Sequence, residues 1–263
     1  MMDAASNASP SGFIERIGHF LFRWRNFLFP LILLALLLGF PPVPFLGDPR
    51  LDRWLDATGI LVALLGQGLR AAVIGYKYII RGGKKGRVYA EDLVTEGMFN
   101  HSRNPLYVGN LLVLIGLFIL HNNPWVYALG LSFFIFAYVA IVVAEEAYLH
   151  RRFGAAYRDY CRRVPRWIPN FRGVRESVKG MRFDRKEVIF TEFGSTYTWI
   201  VTALLILAYQ ARMEPPSPQK DTYLLVLAGL FLLATATWVF WRYWKRVLLP
   251  RLERAAERRS EQA

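Results

Sequence analysis

Two adjacent carboxylates, Glu145 and Glu146, follow directly on the apolar run IVVA, and Arg103, Asn104, Pro105 and Tyr107 lead into an earlier apolar run. A carboxylate at such a boundary can hold a cationic or hydroxyl group of a ligand, or take a proton from a reacting amine. An arginine can grip a ligand carboxylate through paired N–H bonds. Each residue also has a plainer use. Arg103 can anchor to lipid phosphate, Tyr107 can belong to an interfacial aromatic belt, and the glutamates can be solvated helix-end residues. His101 and His150 are the nearest titratable bases. The four histidines form no H-x-x-x-H or H-E-x-x-H pair, and Cys161 is the single cysteine. No metal signature and no intrachain disulfide are therefore expected.

These residues depend on the elements around them. The segment with Gly97, Arg103, Pro105, Tyr107 and Gly109 precedes an apolar hairpin, and the segment with Glu145, Glu146, Phe153, Gly154, Tyr157, Tyr160, Val164, Pro165 and Pro169 follows it. A hairpin that crosses a membrane twice returns both segments to one face. The chain is 54% hydrophobic and 15% aromatic, with its apolar residues in long blocks, as lipid-facing helices require. The spans expected are Phe27–Leu46, Leu55–Ile80, Leu106–Leu120, Pro124–Ala144, Phe193–Tyr209 and Tyr223–Trp241, giving an all-α integral membrane protein of about six helices. The polar opening MMDAASNASPSG reads as a frayed tail, and Asn122-Asn123-Pro124 as the turn of the hairpin.

The formal charge of +13 follows the spans. With the N-terminus inside, the inner segments hold Arg16, Arg23, Arg25, Arg81, Lys84, Lys85, Arg87 and Arg103, twelve Lys or Arg from Arg151 to Lys186, and seven from Arg242 to Arg259. The outer loops hold only Arg50, Arg53, Arg212 and Lys220. This is the positive-inside pattern, with both termini cytoplasmic, as in a bacterial inner membrane. Anionic lipid accounts for the charge, and no nucleic-acid reader motif is present.

Within the spans, Arg70 must face the bundle or a cavity, while Lys77 can snorkel to the edge. Gly109 and Gly116 share a helix face and permit close approach of another helix or of a cofactor. Glu146, Leu149, Phe153, Tyr157 and Tyr160 recur at helical spacing, so the fourth helix should continue past the glutamates with one docking face.

The ordered set Leu93, Val94, Thr95, Gly97, then Arg103, Pro105, Tyr107, Gly109, then Glu145, Glu146, Leu149, Phe153, Gly154, Tyr157, Tyr160, Val164, Pro165, Pro169 resembles the isoprenylcysteine carboxyl methyltransferase and phospholipid methyltransferase superfamily of integral-membrane enzymes. The resemblance implies transfer of a methyl group from S-adenosylmethionine to a lipophilic or membrane-associated acceptor at the cytoplasmic face, with membrane lipids as the other partner. It selects Leu93, Val94, Asn104, Pro105, Tyr107 and Glu145 as cofactor-binding, and Arg103 and Glu146 as catalytic candidates. Two departures stand out. The motif histidine is Asn104, which cannot titrate, and the position of the family's substrate-contacting arginine falls in the apolar 140–143 run.

Membrane sterol and steroid reductases, which use a nicotinamide cofactor, are similar in their C-terminal part, and Arg81, Lys84, Lys85 and Arg87 suit a 2′-phosphate. The paired glutamates and the LVTEG lead-in favour the methyltransferase. The two departures also motivate a reading as a non-catalytic membrane protein that retains the fold. The expected organisation is a cytoplasmic segment 1–26, helices one and two in 27–92, the methyltransferase-like core in 93–170, a basic connector 171–192, an appended helix pair 193–244 and a basic tail 245–263.

Overall fold

The structure is a computed structural model and describes residues 10–76 and 88–249. Its elements are helical, and the chain divides into two compact units, Met1–Thr191 and Glu192–Ala263. Five helices are long and apolar enough to cross a membrane, and a sixth, Pro105–His121, is shorter. The chain is an integral membrane protein of the all-α class.

Helix α1 (Pro10–Gly39) begins well before the expected first span, so residues 10–12 are helical rather than frayed. It stops at Gly39 because Pro41 and Pro42 lack the N–H groups that another turn would need. Helix α2 (Pro49–Tyr76) runs back, and the basic run Arg81 to Arg87, like Lys77, lies outside the described residues. After a 3₁₀ turn at Gly97–Asn100, α3 (Pro105–His121) starts with Pro105 at its first turn, where the missing N–H costs nothing.

The hairpin turn has the expected chemistry. Asn122 adopts the left-handed conformation at φ 49°, and the Asn123 Oδ1 accepts from the Trp125 N–H at 2.8 Å. The turn is tied to the loop after α1: His121 Nε2 donates to the Phe40 carbonyl at 2.6 Å, and Asn123 Nδ2 to that of Pro41 at 2.7 Å.

A π-helical turn, Val126–Leu131, opens the return limb, which continues as α4 (Ser132–Arg163) straight past both glutamates. The periodic face meant to dock does so: Tyr157, Tyr160 and Val164 are buried together, with Leu93, Leu149 and Phe153 packed on them. The helix is nevertheless broken inside this stretch, at Gly154 (φ 52°, ψ −116°), a conformation that only a residue without Cβ adopts at little cost. Hydrophobic periodicity does not report a one-residue break that leaves the apolar side continuous.

Helices α2 and α3 pack antiparallel through paired glycines. A Cβ at Gly116 would stand 2.5 Å from the Gly59 carbonyl oxygen, and one at Gly66 would stand 2.7 Å from that of Gly109. The gap at Gly109 and Gly116 is filled by the α2 backbone and the Arg70 stem, which corrects the reading of it as cofactor space. Arg70 is buried, as expected, and donates to Asn110 Oδ1 across this interface. On the other side α1 meets α4, with Gly18 against Ala140 and a core of Leu21, Phe22, Ala137, Tyr138 and Ile141. Phe29 sets its edge or face against Phe134 and Tyr138, with centroids 5.3 and 5.5 Å away.

The sequence marks the connector only by its charge. It holds a short helix α5 (Val174–Ser177) and leads into α6 (Arg185–Met213), which begins earlier than the fifth span read from hydropathy. In the second unit, α6 and α7 (Pro218–Tyr243) are joined by stacked aromatic pairs, Tyr197 on Trp238 and Phe193 on Trp241, each at 4.9 Å. Ser217 caps α7 by accepting from the Lys220 N–H, and Pro218 occupies its first turn.

Candidate active site

Helices α1, α3 and α4 bring together a line of polar groups. Tyr107, one turn into α3, donates its hydroxyl proton to Glu145 Oε1 at 2.7 Å. The same hydroxyl oxygen accepts from Arg25 Nη1 of α1 at 3.1 Å. The bonds have a direction: with its oxygen engaged by Arg25, the phenol points its proton at the carboxylate. Tyr138 of α4 lies against the Tyr107 ring at 5.3 Å. Apolar side chains surround the group, and Val88 and Trp167 pack on the same core.

The neighbouring glutamate faces a different set of partners. Glu146 is buried, and Arg103 Nη1 stands 3.0 Å from its Oε1. Arg166, in the strap that follows α4, brings Nε to 3.1 and 3.2 Å of the two carboxylate oxygens and Nη2 onto Oε2. Hydrogen bonding to Glu146 raises the Arg166 guanidinium above its usual range, so it stays charged. Arg103 also donates to Cys161 Sγ at 2.9 Å, and its backbone N–H donates to the Pro165 carbonyl at 2.9 Å. Consecutive residues on one helix point in different directions. Glu145 therefore belongs to the α1–α3 side, and Glu146 to the strap.

The strap 164–170 is tied to the segment before α3 at every step. Asn104 Nδ2 donates to the Arg166 carbonyl at 3.1 Å, and Ser102 Oγ to that of Trp167 at 3.0 Å. His101 Nδ1 lies 2.5 Å from the Asn170 carbonyl, and the Asn170 N–H returns a bond to the His101 carbonyl at 2.9 Å. Tyr160 closes the set by donating to the Phe99 carbonyl at 2.7 Å. Asn104, where the resemblance expects histidine, thus donates a side-chain amide hydrogen bond that fixes the strap. Replacing Asn104 by alanine is expected to lower stability by about 1 kcal/mol. A melting temperature unchanged from wild type in detergent would refute that role.

Several predicted residues come together and others do not. Tyr107 meets Glu145, Arg103 meets Glu146, and Asn104 and Pro105 lie between Arg103 and Tyr107 in the chain, at the start of α3. Leu93 sits on the Tyr157–Tyr160 core instead, and Val94 is half-buried beside it in sequence. His101 holds the strap, and His150 lies on the rim with its ring edge-on to Tyr157 at 4.7 Å. A separate opening of about 350 Å³ is lined by Thr95, Glu96, Gly97, Asn100, Tyr160 and Arg163, among others, and does not reach Tyr107 or Glu145. Among the described residues no three His, Cys, Asp or Glu side chains gather as a metal site would need.

Arg25 and Arg166 were not singled out from the sequence. Arg166 carried a signal, since it lies between Pro165 and Pro169 in the second motif segment and Glu146 required a counter-charge. Arg25 carried none, since a basic residue beside a first span has the ordinary meaning of an orientation signal.

This geometry joins the motif segments on which comparison with other proteins turns. The profile of the phospholipid methyltransferase family matches residues 56–156, which hold Arg103, Asn104, Tyr107, Glu145 and Glu146. The match is confined to that stretch, less than half of the chain. The chain is 33% identical over 130 residues to the protein-S-isoprenylcysteine O-methyltransferase of Mus musculus, covering 46% of this chain and 44% of the relative. It is 28% identical over 144 residues to protein-S-isoprenylcysteine O-methyltransferase B of Arabidopsis thaliana, covering 52% and 71%. It is also 27% identical over 171 residues to the cobalt-zinc-cadmium resistance protein CzcN of Cupriavidus metallidurans, covering 64% and 75%. The chain spans less than half the length of the mammalian relatives it matches. No solved structure matches it significantly.

Proposed function

We propose that this protein is an integral-membrane methyltransferase that uses S-adenosylmethionine and methylates a lipophilic or membrane-associated acceptor. The observation that carries the reading is the Tyr107–Glu145 hydrogen bond, which joins the segments before and after the hairpin within the family-matched stretch. The residues suit such a cofactor. Glu145 offers a carboxylate beside the apolar ends of α3 and α4, as an ammonium or ribose hydroxyl requires, and the Tyr107 ring offers a flat apolar face. When bound, the cofactor supplies a methyl group on a cationic sulfur.

The chain's own groups then do three things. Glu145 anchors a polar part of the cofactor, with its free oxygen positioned by the bond that Tyr107 makes to the other. Arg103, Glu146 and Arg166 hold the strap over the segment before α3, so that both walls keep their spacing while ligands exchange. The apolar surround excludes water, which raises the reactivity of charged partners and favours close, collinear approach. Glu146 enters the reading as a positioning residue. Its two guanidinium partners occupy the oxygens that a proton-accepting base would need free. An acceptor carboxylate requires no base, so carboxyl methylation is the simplest reaction for this constellation, and amine methylation would need another proton acceptor.

The test is ligand binding by the detergent-purified chain. S-adenosylhomocysteine should raise its melting temperature, since a ligand at one hundred times its Kd adds about 2.7 kcal/mol. Glu145→Gln should weaken that binding about tenfold or more, equivalent to about 1.4 kcal/mol. Tyr107→Phe, which removes only the positioning hydroxyl, should weaken it less. Stabilisation by NADPH and not by adenosyl ligands would overturn the reading in favour of a reductase.

A further inference from the structure

We infer that the segment from Trp167 to Phe183 is a docking surface for the anionic headgroup layer of the bilayer, and that docking there steadies the strap 164–170. The inference stands on this face of the bundle alone and does not require the methyltransferase reading. The segment lies across the end of the bundle where α2 finishes and α3 begins. Trp167 packs on the α1–α4 core that also receives Tyr107. At the other end, the Phe183 ring meets that of Tyr76, the last residue of α2, edge to face at 5.2 Å. The Asp184 N–H donates to the Gly75 carbonyl beside it at 2.8 Å. The segment is thus seated where the helices leave the hydrocarbon.

The side chains that it turns away from the bundle are of two kinds. Ile168 is 83% exposed and Phe171 60%. Arg172, Arg175, Lys179 and Arg182 are exposed too, and among the described residues none of them has a carboxylate at ion-pair distance. Glu176 is the one acidic residue from Arg172 to Arg182. Water does not suit the two apolar side chains, and lipid tails do not suit the four cations. The headgroup layer of an anionic leaflet suits both, taking the apolar groups at the acyl boundary and the cations at the phosphates. A soluble acidic partner would meet the charges alone, whereas the bilayer already stands at these helix ends. Docking also bears on the strap. Ile168 lies between two tethers, the Ser102 Oγ bond to the Trp167 carbonyl and the bonds that pair His101 with Asn170. Arg166, which grips Glu146, is two residues earlier. Holding Ile168 and Phe171 in the leaflet therefore adds an outer support to a strap that is otherwise held only from within.

The experiment places the full-length chain in nanodiscs of phosphatidylcholine alone, or of equal parts phosphatidylcholine and phosphatidylglycerol, and follows amide hydrogen exchange by peptide. In the anionic discs the amides of 164–183 should exchange about fivefold or more slowly than in the neutral ones, while the turn at 122–125, at the opposite end of the bundle, should not change. Salt at about 1 M should remove most of the difference, because it shortens the reach of exposed charges to about 3 Å. The variant with Arg172, Arg175, Lys179 and Arg182 all replaced by glutamine should lose the difference between the two discs. The Ile168→Ser, Phe171→Ser variant should exchange faster than wild type over 164–170 in the anionic discs. Equal exchange of wild type in both discs, or a difference that survives in the glutamine variant, would overturn the inference. So would equal slowing by soluble heparin in neutral discs, which would assign the surface to an acidic macromolecule instead. If the glutamine variant does not fold, the wild-type contrast, its salt dependence and the serine variant decide it.

Discussion

Replacing Glu146 by alanine is expected to lower the stability of the chain by about 3 kcal/mol, the lower end of the range for deleting one partner of a buried ion pair. The reason is what remains behind. Arg103, with 14% of its side chain exposed, would keep only the Cys161 sulfur as a side-chain acceptor among the described residues. Arg166 is 40% exposed and can turn toward solvent, which is why the upper end of the range is not expected. For a unit of this size the loss corresponds to a fall of about 6–12 °C in melting temperature. Glu146→Gln, which keeps the shape and one acceptor, should fall between the two. In a double-mutant cycle, Arg166→Ala should cost much less in the Glu146→Ala background than in wild type, because partners in one network are not additive. A Glu146→Ala protein that melts with wild type would show that the strap is held by its backbone and amide bonds alone. Activity should fall with the strap even at temperatures where the variant is folded, since Tyr107 and Glu145 lie between elements that the strap keeps in place.

Gly116→Val is the second large effect, and it concerns packing rather than charge. The first side-chain atom would already lie 2.5 Å from the Gly59 carbonyl oxygen and 2.6 Å from the Ala63 nitrogen, both backbone atoms. A side-chain neighbour can rotate away, whereas a helix backbone must shift as a whole. The expected loss is about 3 kcal/mol, the upper end for overpacking a well-filled interface. The helices would separate along the Gly66–Gly109 pair as well, loosening the Arg70–Asn110 bond beside it. Gly68, on the partner helix α2 but with nothing near the place of a Cβ, provides the contrast. Gly68→Ala should stabilise by up to about 1 kcal/mol through helix propensity. Parallel thermal melts of the two variants measure the difference. A tolerated valine at 116 would mean that α2 and α3 do not pack through their glycines.

Much of this was legible in the linear sequence because it depends on short-range patterns. Apolar blocks named the spans, prolines and asparagines named the turns, and the ordered motif residues named the family segment. Even the pairing of Tyr107 with Glu145 was within reach, since a hairpin of two spans must return both to one face. The boundaries of α1 and α6 were not, because hydropathy stops at the first charges while a helix continues as long as its backbone bonds do.

The sequence by itself determined that the chain is a helical membrane protein with a segment that resembles the phospholipid methyltransferase family, and which residues could build a site. Only the tertiary structure divided the two glutamates between separate tasks, since adjacent positions on a helix differ by about 100° in direction. It alone filled the Gly109–Gly116 gap with α2, because a smooth helix face does not say what lies against it. It alone brought Arg25 to Tyr107, a contact across 82 residues that no local pattern encodes. Spacing along the chain fixes what each element can present, and the packing of elements decides which charge meets which.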